Sequence, residues 1–146
     1  MSDDITLAGV KGFAGELSMW AHLATVGLDH RPDVVPVHPC WEGETLWILV
    51  GLDSVKARNV AENPNVALHW QVSENGDGVE LWGTAELHDD VETKRRLWNG
   101  VFDYDLNAFA PGGPDDSPEA GFLAIKPRRA IVIRAYGTGG TQRWTA

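Results

Sequence analysis

The most regular feature of the chain is the alternation of apolar and polar positions through its middle third. From Asn65 to Val72, the residues Val66, Leu68, Trp70 and Val72 fall on one face and Ala67, His69 and Gln71 on the other, the period of a half-buried β-strand. Val79, Leu81, Gly83, Ala85 and Leu87 alternate in the same way with Glu80, Trp82, Thr84 and Glu86. The turn-forming stretch SENGDG between the two runs predicts a hairpin. Three earlier strands are predicted over residues 18–26, 33–41 and 45–51, joined by GLDHRP and EGE. A sixth covers 122–125 and 130–136, with a break at Lys126-Pro127, where proline has no N–H to give to a ladder.

Helical signals are fewer. Ser54 or Asp53 can cap a helix that stops near Asn63, because the residue before Pro64 is driven out of helical backbone. Asp90 can cap a second, VETKRRLWNGVF, with an apolar stripe of Leu97, Trp98, Val101 and Phe102. A third covers about residues 10–17, and residues 110–121 (APGGPDDSPEAG) read as loop. This inventory predicts a mainly β, α+β fold: a six-stranded antiparallel Greek-key barrel, closed or nearly so, with two or three short helices. A single sheet covered by helices is the alternative.

Composition narrows the function. A chain of 146 residues fits one domain over 1–146 with a sizeable core. The lone cysteine, Cys40, excludes an intrachain disulfide and suits a reducing compartment. MSDDITLAG lacks a basic, apolar leader pattern, and the longest apolar run, residues 46–52, is far short of the ~20 residues that span a bilayer as a helix. A soluble cytoplasmic protein is therefore expected. With 21 acidic and 12 basic residues the net charge is −9, which argues against nucleic acid and anionic membranes as partners. Any anionic ligand has to be held by local cations and backbone amides.

Such a place exists at the helix start Ser54-Val55-Lys56-Ala57-Arg58. Unpaired N–H groups and the positive end of the helix dipole favour a phosphate there, Ser54 adds a hydroxyl, and Lys56 and Arg58 add charge. The plainer reading stays open beside it: Ser54 is only a cap, Lys56 is solvated, and Arg58 pairs with Glu62 one turn on. Lys94, on the second helix, is expected to have no bearing on a ligand at this position. His38-x-Cys40 offers two metal-capable side chains, but no second pair at ligand spacing accompanies it, so no metal centre is predicted. His22, His30, His69 and His88 are scattered, and no nucleophile-elbow or P-loop motif occurs. No residue stands out as a general acid or base. His38, with a pKa naturally near neutrality, can either shuttle a proton or simply be hydrogen-bonded.

The order strand, turn, strand, then Ser54-Val55-Lys56-Ala57-Arg58-Asn59, then Asn63-Pro64-Asn65-Val66-Ala67-Leu68-His69-Trp70, then residues 79–87 with Gly83, resembles the FMN-binding split-barrel family that includes pyridoxamine 5'-phosphate oxidase. RRLWNGVF followed by APGGPDDSPEAGFLAIKP is similar to the general stress protein branch of that family. The resemblance implies a homodimeric flavoprotein with two FMN sites at the subunit interface. It places the flavin ring along the second and third strands, against Val35, Pro36, Val37, His38, Leu49 and Val50, and the phosphate at Ser54 and Lys56. The oxidase branch has an arginine where this chain has Val55, so Arg58 or a residue of the partner chain is expected to substitute, and a tryptophan where this chain has Ile133.

Gly139-Gly140-Thr141-Gln142-Arg143 echoes the substrate element of the oxidase at altered spacing, which marks Arg143 and Trp144 as substrate contacts but argues against vitamin B6 oxidation itself. Three functions follow from the resemblance: an FMN-dependent oxidoreductase acting on a small organic substrate, a reductase using the deazaflavin F420 on the same scaffold, or a non-catalytic, stress-related flavin-binding protein.

Overall fold

The alternating segments pair into one antiparallel sheet. In chain order its strands are β1 (Ala21–Val26), β2 (Pro32–Val37), β3 (Cys40–Glu42), β4 (Thr45–Gly51), β5 (Asn65–Trp70), β6 (Gly78–His88), β7 (Ala120–Ile133) and β8 (Thr141–Thr145). Three helices accompany them: α1 (Leu7–Leu17), α2 (Val55–Glu62) and α3 (Val91–Trp98). This computed structural model describes residues 4–70 and 73–146. Gln71 and Val72, the last two residues of the predicted central strand, lie outside the described residues. No helix among the described residues is long and apolar enough to cross a membrane.

Across the sheet the order is β2-β1-β5-β6-β7-β4-β3, with β8 added on β7. The mainly β character and the three helices agree with the sequence pattern, but among the described residues there are eight strands instead of six, and the sheet they form does not close. The predicted strand over 33–41 is split at His38 and Pro39. Upstream, β2 pairs with β1; downstream, β3 pairs with β4. Pro39 has no N–H to carry the ladder through, so the chain changes partner there. As β2 and β3 are the two ends of the sheet, the sheet must curl until its ends nearly meet. Val37 and Cys40 are three peptide units apart, at most about 11 Å between Cα atoms.

The other proline has the opposite outcome. β7 runs unbroken through Pro127 instead of stopping at Lys126, because the ladder bulges there. Trp82 faces Arg129 and Gly83 faces Pro127, which leaves Arg128 as the extra residue of the bulge, directly after the proline that has no N–H to give. Gly83 is required opposite it, since a Cβ there would stand 2.5 Å from the Lys126 carbonyl oxygen. β8 follows the Gly-rich stretch 137–140 and is a strand that no alternation in the sequence predicts.

Burial explains where the alternation lapses. On β5, Val66, Leu68 and Trp70 point into the main core while His69 faces out. On β4 both faces are covered: Leu46, Ile48 and Val50 belong to the main core, and Trp47 and Leu49 pack with Leu97, Leu106 and Phe122 beneath α3 and the segment after it. A strand buried on both sides reads as a continuous apolar run, as LWILV does. Val10 and Ala14 sink α1 into the main core. Each fully buried Leu or Ile in these clusters contributes roughly 1.5–3 kcal/mol by leaving water.

Helix ends follow their caps. Thr6, Ser54 and Asp90 each accept a backbone N–H in the first turn of α1, α2 and α3. α3 stops at Trp98 and does not run on to Phe102, because Gly100 takes a left-handed φ of +98° just after it.

Two glycine substitutions separate packing from backbone entropy. Gly83→Ala forces a Cβ against the β7 bulge and should cost about 1–3 kcal/mol. Gly12→Ala, in the interior of α1 with nothing within 4 Å of its new methyl, should add about 0.5–1 kcal/mol. Urea midpoints that move the same way for both variants would refute this account of the bulge.

Candidate functional site

Where the two ends of the sheet approach each other, a cleft of about 350 Å³ opens. One wall is the end of β2 with Pro36, Val37 and His38, and the floor is Ile48 to Gly51 of β4. Lys56 of α2 stands at one side; Trp20, Tyr104, Phe109, Ala110, Glu119 and Ala120 complete the lining.

The turn from β4 into α2 is locally determined. Ser54 donates its backbone N–H to the Gly51 carbonyl at 3.1 Å and its hydroxyl to the same oxygen at 2.6 Å, and it accepts the Ala57 N–H at 3.3 Å. Its side chain is thus fully occupied as a cap and does not line the cleft. Among the described residues, the N–H groups of Val55 and Lys56 have no partners, as is usual in the first turn of a helix. Lys56 is half-buried in the cleft wall and, among the described residues, makes no ion pair or hydrogen bond. Arg58 is exposed and outside the lining, and the Arg58–Glu62 pair does not form; Glu62 instead accepts the Leu28 N–H at 2.8 Å.

His38 occupies the split itself. Its ring stacks on Tyr104 with centroids 4.3 Å apart, and its Nε2 lies 2.8 Å from the Asp103 carboxylate without the alignment of a hydrogen bond. The Cys40 thiol donates to the same carboxylate oxygen at 3.4 Å. Burial, more than the Asp103 charge, pushes the Cys40 thiol up to about 11, and burial pushes the Tyr104 phenol up to about 12. Both groups are neutral at ordinary pH.

Of the residues marked in the sequence, Pro36, Val37, His38, Leu49, Val50 and Lys56 come together around this cleft. Val35 packs against the main core, and Ser54 and Arg58 stand outside the lining. Arg143 and Trp144 lie on β8, where Trp144 packs on the main core and lines a separate groove of about 940 Å³ with Lys126 and Arg128. Sequence reasoning missed Trp20, Tyr104, Phe109 and the 110–120 wall. No local pattern marks them, since only the tertiary fold brings residues near 104–120 to the end of β2.

That wall is held from behind. Lys94, 3% exposed, donates from Nζ to the Ser117 carbonyl at 3.0 Å, and Arg95 pairs with Asp115 at 2.6 Å. Lys94 is outside the cleft lining but not solvated: its long stem is buried under α3, and its ammonium anchors the loop that ends in Glu119 and Ala120.

The family model for pyridoxamine 5'-phosphate oxidase matches residues 17–134. Among solved structures, the fold is similar to a protein from Clostridium acetobutylicum related to general stress protein 26 of B. subtilis, of the pyridoxinephosphate oxidase family. The two share 18% identity and a TM-score of 0.77, over 97% of this chain and 96% of that one. A pyridoxamine 5'-phosphate oxidase-related, FMN-binding protein from Nostoc punctiforme is similar at 19% identity and a TM-score of 0.68, over 94% and 86% of the two chains. An F420 reductase is similar at 23% identity and a TM-score of 0.56, over 77% and 88%. At these identities the likeness is one of fold. No curated protein matches the chain in sequence.

Two outcomes test the wall. Lys94→Met should strip the Ser117 carbonyl of its charged donor and leave it only the Ala120 N–H, cost about 1–3 kcal/mol, and speed amide exchange across residues 110–120 more than in β5 or β6; uniform exchange would sink the anchoring role. Cys40 and Tyr104 both have raised pKa values, so the stability they confer is complete below the unfolded thiol's 9.0 and is lost as pH climbs through about 11 and then about 12. Denaturation midpoints should accordingly fall from about pH 9 upward, with a smaller fall in Cys40→Ala.

Proposed function

Because the chain belongs to the pyridoxamine 5'-phosphate oxidase family, we propose that it is a single FMN-binding domain over residues 1–146, with FMN in the cleft beside Lys56, and that it is a flavin-dependent oxidoreductase acting on a small organic substrate. Lys56 carries this reading: a half-buried cation without a counter-charge, beside two unpaired amides at a helix start, is suited to an anion such as a phosphate. The cleft volume falls within the roughly 300–1,000 Å³ of ordinary ligand sites. As an end strand, β2 has one unpaired edge whose N–H and C=O groups can address a flat heteroaromatic ring.

Bound FMN would supply the electron transfer. The chain's own part is to neutralise the phosphate with Lys56, to exclude water with Trp20, Tyr104 and Phe109, and to keep a neutral side chain at Tyr104. Trp20 is 57% and Phe109 71% exposed at the cleft rim. A second copy of the chain laid over them would bury both rings and roof the cleft, which supports a homodimer with the cofactor at its interface. Arg143 and Trp144, away from their own chain's cleft, then meet substrate only if they reach the partner's. The lone, buried Cys40 suits a reducing cytoplasm.

Two other readings have specific support. The fold of the F420 reductase favours F420, although a single cleft cation and a net charge of −9 suit a short anionic tail better than a long one. The neutrality of Tyr104 and Cys40 favours a non-catalytic flavin-binding or stress-related role, because it leaves few side chains ready to exchange a proton.

The visible absorption spectrum of the purified protein separates these readings: two bands of an oxidised flavin, one band of a deazaflavin, or neither. Turnover of the bound flavin with NAD(P)H and candidate acceptors separates enzyme from carrier. Lys56→Ala should weaken FMN binding by about 1–3 kcal/mol, roughly five- to 150-fold, with an unchanged far-ultraviolet circular dichroism spectrum. Lys126→Ala, on the far groove, should not weaken it. Equal loss in the two variants would reduce the effect to net charge and displace the site.

A further inference from the structure

We propose that His38, Cys40 and Asp103 bind a zinc-class divalent cation at the split in the sheet, behind the cofactor cleft. The proposal is independent of FMN and goes beyond the flavin reading. His38 and Cys40 are two residues apart at the break between β2 and β3, and Pro39 between them limits the freedom of the backbone. Asp103, in the segment after α3, supplies the third donor across space. A ring nitrogen of His38, the Cys40 Sγ and an Asp103 carboxylate oxygen all lie within 4.8 Å of one another, with Nε2 2.8 Å and Sγ 3.4 Å from the carboxylate. Tetrahedral zinc with bonds of about 2.0–2.3 Å needs donors about 3.3–3.6 Å apart. The 67% exposed Asp103 has room to swing outward and even the separations.

Two further observations point to a missing partner. The buried Nε2 of His38 makes no hydrogen bond, although a carboxylate oxygen lies 2.8 Å away; a metal between them gives that nitrogen a bond on its own axis. A sulfur, an imidazole nitrogen and one carboxylate also form a borderline-soft set, suited to zinc or cobalt and ill suited to magnesium or calcium, which prefer all-oxygen shells. Binding breaks the Cys40 S–H bond, forms the sulfur–metal bond and releases one proton to solvent, with no change of oxidation state. The thiolate and the Asp103 carboxylate together balance the two charges of the ion. The fourth position opens toward a side cavity of about 280 Å³ that Met19 and Trp41 also line, with space for water or another ligand.

The consequence is a clamp. The ion would join the β2–β3 junction to the segment carrying Tyr104 and Phe109, and so hold two walls of the cleft in register.

The test uses the full chain after dialysis against a chelator, titrated with Co²⁺ and then Zn²⁺. As Cys40 is the only cysteine, a thiolate-to-cobalt charge-transfer band reports on this site alone. One equivalent of Co²⁺ should produce the band, Zn²⁺ should displace it, and Zn²⁺ should raise the melting temperature. Cys40→Ser should abolish the band. Asp103→Asn, exposed and harmless to folding, should weaken binding at least tenfold, and His69→Gln should leave it unchanged. Absence of the band in the native chain, or Zn²⁺ affinity that Asp103→Asn does not lower, overturns the proposal.

Discussion

Everything around the cleft depends on the ladder that fails at Pro39. Without an N–H there, β2 cannot extend into β3, and the two ends of one curled sheet approach without pairing. A closed barrel would fill that seam with hydrogen bonds and leave no lateral opening. The unclosed one presents a free strand edge, a histidine turned into the gap, and the floor of β4 beneath it. The same proline therefore ends two strands, opens the cleft and sets His38 beside Cys40.

Electrostatics adds selectivity within that opening. The whole chain carries −9, yet this field is screened within about 8 Å at physiological salt. Contact between a phosphate and Lys56 in a partly desolvated wall acts at much shorter range and escapes most of that screening. The local cation thus prevails over the global charge for a ligand already in the cleft, while the global charge still disfavours polyanions arriving from outside. One exposed acid in the lining, Glu119, stands on the wall formed by the 110–120 loop. Binding and exclusion can therefore coexist in the same acidic protein.

Legibility in the sequence followed the range of the cause. Residues 45–51 and the cap at Ser54 were readable because an apolar run and a short cap are local signals, and β4 and α2 start where those signals place them. Pro39 and Pro127 look alike in sequence, yet one splits a strand and the other sits in a bulge. The difference lies in Gly83, some forty residues from Pro127 in the chain, which alone leaves space for the displaced carbonyl of Lys126. Lys94 reads as a solvated helix residue by type, and only the Ser117 carbonyl behind it explains its burial. Asp103 is a third case: nothing near His38 and Cys40 announces a donor more than sixty residues away.

These long-range contacts converge on a single segment. Residues 103–120 hold Tyr104 against His38, Phe109 at the rim and Ala120 at the floor, and they have few strands of their own to steady them. Their placement comes from α3 instead, through Lys94 and Arg95 at one end and the Phe122 cluster with Trp98, Phe102 and Leu106 at the other. α3 contributes no residue to the cleft lining, yet it packs behind Leu49 and Tyr104 and fixes the segment that ends in Ala120. In a protein whose sheet leaves its seam open, the helix that braces the loop across that seam carries as much of the site as the strands that border it.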